Sequence, residues 1–311
     1  MTELHELTPG QAEQLLRLED LWPEFGHSLQ VAAATDGGMS WRDVKGVQYL
    51  TRWYQEDGKK KGKSLGRRGP ETEAQLAHFQ ETTLKARRIL RERRDDVALI
   101  CRLAKAHGLA RLPGRQAETL EWLWYTDAVR RLTLFGGAAL LAYESQSNIL
   151  TPGDLVKDHL RFVVRSFDGI DLDEIKEACD VDRAGVTSTK KENRILIRSG
   201  DELLCEIYLP TYFTRYLERG PAQTLMDAFG LPPVKGLTFS KVSRPIELTA
   251  LDPRVYAMAA NCLRDKEIWA ERADFAVAMV RQYWPEKFDE AQDDVFADDP
   301  DDGRLRNRGP Y

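Results

Sequence analysis

The segment 132-LTLFGGAALLAYESQS-147 constrains the fold of this chain more than any other. Four residues with strand character run into a Gly pair and from there into an apolar helix. Such a turn brings backbone N–H groups and the positive end of a helix to one point, which suits an anion, a phosphate above all. Close helix packing or a tight turn would place two glycines there equally well. The apolar run is too short to span a bilayer and is broken by its glycines.

Short elements of alternating type surround this segment. Leu132 to Phe135 reads as a strand, Ala138 to Gln146 as a helix, Leu160 to Arg165 as a strand and Asp171 to Asp180 as a helix. Two further strands, Asn193 to Arg198 and Leu203 to Leu209, flank the turn 199-SGDE-202. The expected class is α+β, a small mixed sheet with helices, flanked by a helical N-terminal region and a helical C-terminal lobe. Residues 9 to 35 suggest a helix followed by an apolar segment, and 41-WRDVKGVQYLTRWYQEDGKKKGKSLG-66 a basic strand-turn-strand hairpin. Helix start and stop signals frame 70 to 108, and a further helix covers 116 to 130, where Trp122, Leu123 and Trp124 are read as packing. From Pro210 the pattern is mostly helical, with an apolar loop at 230-GLPPVKGL-237. The expected divisions are 1–115, 116–210, 211–288 and an acidic, flexible tail at 289–311.

With 311 residues, 42% of them hydrophobic, the chain is long enough for a substantial core. It shows no secretory signal and no membrane span, and Cys101, Cys179, Cys205 and Cys262 are scattered without a CxxC pair. A cytoplasmic protein is the expectation. The net charge of -5 is unevenly spread. From Trp41 to Phe135, Lys and Arg outnumber Asp and Glu by 21 to 12, whereas Glu286 to Asp302 carries nine acids against one lysine. Lys59, Lys60, Lys61, Lys63, Arg67 and Arg68 fall on a glycine-punctuated loop that would attract nucleic acid or an acidic protein. The run 85-KARRILRERR-94 is read as the solvated face of a helix.

Nucleotidyl transfer would use such a Gly turn for the triphosphate. It would also need Mg²⁺ held by carboxylates at i and i+2 of a neighbouring strand, with a third acid beside them. The segments 64-SLGRRGPETEAQLAHF-79, 134-LFGGAALLAYE-144, 206-EIYLP-210 and 252-DPRVYAMAANCLRD-265 together resemble a bacterial nucleotidyltransferase-fold family, the eighth nucleotidyltransferase-like group. The resemblance runs from about Tyr49 to Trp284. It implies a nucleotidyltransferase core with a helical C-terminal lobe, an NTP substrate and Mg²⁺ if the protein is active, with Gly136 and Gly137 at the phosphates. Counting without gaps from Gly136, the family's Asp-x-Asp falls on Leu160 and Phe162, and its third acid on Glu206. Asp158 and Glu206 are then the remaining candidates for catalysis and for metal. Two readings follow: a nucleotidyltransferase with rebuilt ligands, or a non-catalytic module that keeps the fold and binds nucleic acid or an acidic protein.

Overall fold

The computed structural model describes residues 3–35, 37–56, 59–124, 132–164, 173, 175–177, 186–215, 217–265 and 267–284, without the side chains of 34, 55, 56, 59, 60, 124 and 267. The expected tail and most of the expected helix at 171–180 lie outside them. Two compact units emerge, Leu16–Leu103 and Met1–Leu15 with Ala104–Tyr311.

The chain opens with β1 (His5–Glu6) and α1 (Pro9–Ala34). Thr8 and Gln11 start the helix as a reciprocal cap: Thr8 N donates to Gln11 Oε1 at 2.9 Å, and Gln11 N donates to Thr8 Oγ1 at 3.4 Å. The unit Leu16–Leu103 holds a three-stranded antiparallel sheet of β2 (Gly38–Val44), β3 (Val47–Glu56) and β4 (Lys59–Arg67). After it come α2 (Pro70–Phe79), a π-helical turn (Gln80–Leu84), α3 (Lys85–Glu92) and α4 (Arg94–Ala106). The basic stretch read as a loop is therefore largely strand. Its glycines serve the sheet, since Gly66 stands at a bulge with φ 138° and Gly62 lies under the Trp53 ring.

In the larger unit, β5 (Ala110–Leu112) and α5 (Gly114–Trp124) precede β6 (Leu132–Phe135), α6 (Gly137–Ser147) and β7 (Ile149–Leu150). There follow β8 (Leu160–Val164), β9 (Val186–Lys191), β10 (Arg194–Ser199), β11 (Glu202–Tyr208), α7 (Thr211–Thr214) and α8 (Arg219–Ala228). The last elements are β12 (Val234–Ser240), β13 (Pro245–Ala250), α9 (Pro253–Asn261) and α10 (Glu267–Tyr283). Eight strands form one mixed sheet in the order β5-β12-β13-β6-β8-β11-β10-β9. β6, which leads into the Gly pair, β8 and β11 are consecutive in this sheet, β6 with β8 antiparallel and β8 with β11 parallel.

The region after Pro210 is mostly helical, as expected, but β12 and β13 interrupt it: they pair as a hairpin and join the central sheet where an apolar loop was expected. Their buried residues alternate along β13, as a strand lining a core requires. α6 packs on β12 and β13 and is buried from Gly137 to Glu144. α9 starts at Asp252, whose carboxylate accepts from Arg254 N at 3.0 Å, with Pro253 at the first helical position. Phe135 centres an aromatic cluster, stacked on Trp269 at 4.6 Å and edge-on to Phe213 at 5.0 Å. Leu123 is buried and Trp122 packs partly buried against the core, in keeping with a packing role, while the side chain of Trp124 lies outside the described residues. Among the described residues no helix is long and apolar enough to cross a membrane.

Candidate functional site

β6 ends in Phe135, and Gly136 follows with φ 89°, a conformation that costs a residue with Cβ. Gly137 then begins α6 in close quarters. A Cβ there would lie 2.7 Å from Leu155 O, 2.9 Å from Val156 Cα and 3.0 Å from Arg272 Nη2. The start of α6 has no side-chain cap. The guanidinium of Arg272, wholly buried, reaches this helix start. Its Nε donates to Leu155 O at 2.9 Å, and among the described residues its buried Nη2 has no hydrogen-bond partner.

Beside the Gly pair, strand pairing fixes which side chains share a face. Arg161 on β8 stands opposite Phe135 on β6 and opposite Glu206 on β11. Partners across a ladder point to the same side, so Arg161 shares the face of Glu206, while Leu160 and Phe162 point to the other side, into the core. Leu160 and Phe162, which the ungapped count set at the ligand positions, therefore face away from Glu206. His159 and Arg161 are the i and i+2 pair on this face, and both meet Glu206.

Every oxygen of the two candidate acids is engaged. Glu206 Oε2 is 2.8 Å from His159 Nε2, accepts from Arg161 Nε at 3.1 Å and accepts the Tyr208 hydroxyl, while Oε1 accepts from Arg194 Nη1 at 3.1 Å. Asp158 Oδ1 accepts from His159 N at 2.8 Å and lies 2.9 Å from His159 Nδ1. Its Oδ2 pairs with Arg161 and, at 3.0 Å, with Arg272 Nη1. Both nitrogens of His159 thus face carboxylate oxygens. Burial alone would raise the Glu206 carboxyl, but the hydrogen bonds from His159 and Tyr208 and the charge of Arg161 bring it down to about 2. Burial and the neighbouring carboxylate raise the Tyr208 hydroxyl, so it remains a donor.

Three arginines and His159 therefore surround two carboxylates. The balance is positive, and the cations are held in place: Arg161 and Arg272 lie over the Trp269 ring at 5.4 and 4.8 Å, and Arg194 over Tyr212 at 5.9 Å. Arg194 keeps 30% of its side chain exposed and His159 21%, whereas Arg272 is sealed. The site opens through Arg194 and His159. Magnesium does not fit this donor set, because an ion of octahedral demand would have to displace a guanidinium from each carboxylate it bound.

Of the residues expected from the sequence, Gly136, Gly137, Asp158 and Glu206 come together in this cluster. Asp154, on the 3₁₀ turn before them, lies apart, exposed and paired with Lys157 at 2.5 Å. Arg161, Arg194, Arg272 and Tyr208 were missed. One signal was legible, an arginine in the middle of the apolar 160-LRFVV-164. The second set, from Lys59 to Arg68, lies in the other unit. There Lys61 stands opposite Tyr54 and Lys63 opposite Arg52, Arg67 Nε donates to Tyr49 Oη at 3.1 Å, and Arg68 pairs with Glu73 at 2.8 Å. The side chains of Lys59 and Lys60 lie outside the described residues. No family model, curated protein or solved structure matches this chain.

Proposed function

We propose that this chain is a nucleotidyltransferase-like protein that binds the phosphates of a nucleoside triphosphate without magnesium and does not transfer the nucleotidyl group. One observation carries this reading: the face of β8 that meets Glu206 presents His159 and Arg161 where two metal-binding carboxylates would stand. A guanidinium neutralises phosphate charge as a cation does, and its planar donors suit phosphate oxygens. It does not lower the pKa of a bound hydroxyl in the way a metal does, so binding survives the exchange and chemistry is lost. The uncapped start of α6 and the unpartnered Nη2 of Arg272 add positive character at the Gly pair.

Calorimetry with ATP, once in EDTA and once with excess Mg²⁺, tests the reading. The expected result is binding in EDTA that magnesium leaves unchanged or weakens, and that Arg194→Gln weakens by roughly tenfold through the loss of a charge-assisted hydrogen bond. Binding that requires Mg²⁺ and vanishes in Glu206→Ala, or release of pyrophosphate on turnover, overturns it.

A further inference from the structure

The unit Leu16–Leu103 carries a surface that the Glu206 cluster does not explain. On β3, Leu50 is fully buried on one face of the sheet. Tyr49, Thr51 and Trp53 alternate with it on the opposite face, where the half-buried Tyr49 and Trp53 flank the buried Thr51. Arg42 on β2 and Arg67 on β4 are the ladder partners of Tyr49 on either side, and both are exposed. Trp53 has its own setting. Its Nε1 donates to Ser40 Oγ at 2.8 Å, and its ring lies across Gly62, where a Cβ would come 2.7 Å from Cζ3. Gly62 thus leaves room for a flat indole on the sheet. Tyr49 and Trp53 stand four residues apart, roughly 13 Å along the strand. Over residues 38–68, nine Lys and Arg face three acids. Of those acids Asp43 lies on the other face, opposite Gln48, and accepts from Gly46 N at 3.0 Å.

We propose that this face of the β2–β3–β4 sheet binds single-stranded nucleic acid, with bases stacking on Tyr49 and Trp53 while Arg42 and Arg67 hold the backbone. Aromatic rings fixed on a strand offer π-faces, and only unpaired bases have a free face to lay on them. A row of cations alone would serve any polyanion. The alternation of rings and guanidinium groups, with Arg67 lying 5.9 Å over the Tyr49 ring, suits a ligand whose own flat groups alternate with charge. An acidic polypeptide matches the charge and lacks those groups.

The test is fluorescence anisotropy of the full chain with labelled oligo-U and oligo-dT, with a duplex of equal length, and with polyglutamate as competitor. Both single strands should bind more tightly than the duplex, and polyglutamate should compete poorly. Trp53→Leu keeps an apolar side chain over Gly62 but removes the ring, and should weaken binding roughly tenfold at an unchanged melting temperature. Arg42→Gln with Arg67→Gln should flatten the log-log salt dependence by roughly 1.4, at about 0.7 per single-strand phosphate. No binding at low salt, duplex bound as well as single strands, polyglutamate competing as well as oligonucleotide, or a folded Trp53→Leu that binds like the parent each overturn the proposal. Should Trp53→Leu fail to fold, the strand preference and the salt slope of the arginine variant decide.

Discussion

Arg161 lies between Phe135 and Glu206 on the central strands, and its guanidinium reaches Glu206 and Asp158 together. Its charge is fixed at every pH of interest, so the stability of the cluster against acid rests on the carboxylates. Glu206, with an ordinary pKa of 4.5, is held at about 2 in the folded chain. A depressed carboxylate pKa stabilises the fold fully above the unfolded value, and that contribution disappears as pH falls through 4.5 toward 2. The shift is worth about 3 kcal/mol at pH 6 and roughly half of that at pH 3. Urea unfolding of the parent and of Glu206→Gln should therefore differ by about 3 kcal/mol at pH 6, with a gap that narrows by pH 3. A gap that stays constant with pH would show that Glu206 contributes by shape and not by charge.

At the scale of elements, strand pairing decided what counting could not. The apolar character of β6, β8, β10 and β11 was plain in the sequence, and so was the helix after the Gly pair. Which face each residue of β8 takes was not plain, because a shift of one residue exchanges the faces and nothing local in 158-DHLRFVV-164 fixes the register. It is set by β6 and β11, through Leu134 opposite Phe162 and Cys205 opposite Leu160. Arg272 was illegible for a different reason: it is 114 residues from its partner Asp158 and sits in a helix that otherwise reads as amphipathic packing. The hairpin of β12 and β13 was hidden by 230-GLPPVKGL-237, whose prolines and glycines signal a loop up to the residue where the strand begins. The Gly pair itself yields a test of packing at the start of α6. Gly137→Ala puts a methyl group 2.7 Å from a backbone oxygen that cannot rotate away, so the 3₁₀ turn at 153–156 has to move. Such overpacking costs about 2 kcal/mol, more than the gain in helix propensity at a first-turn position. Denaturant unfolding should show that loss, whereas an unchanged or raised stability would mean that the helix start has room to spare.

Charge is the property that belongs to the whole chain. Residues 289–311 hold eight acids and three arginines, a net -5, which equals the net charge of all 311 residues. The remainder is neutral overall, yet Leu16–Leu103 carries 17 Lys and Arg against 13 acids. An acidic stretch tethered to the chain it repels or attracts acts at an effective concentration near the millimolar range, without needing any specific contact. If the sheet face of Tyr49 and Trp53 takes single strands, the acidic stretch competes for the same cations. Changing its eight acids to Asn and Gln in the full-length chain should then tighten binding of oligo-U several-fold at low salt. The gain should fade as ionic strength rises and the Debye length shrinks toward about 3 Å at 1 M. Anisotropy titrations of parent and variant across a salt series measure it. An unchanged affinity at low salt would show that the acidic stretch does not compete for the basic unit.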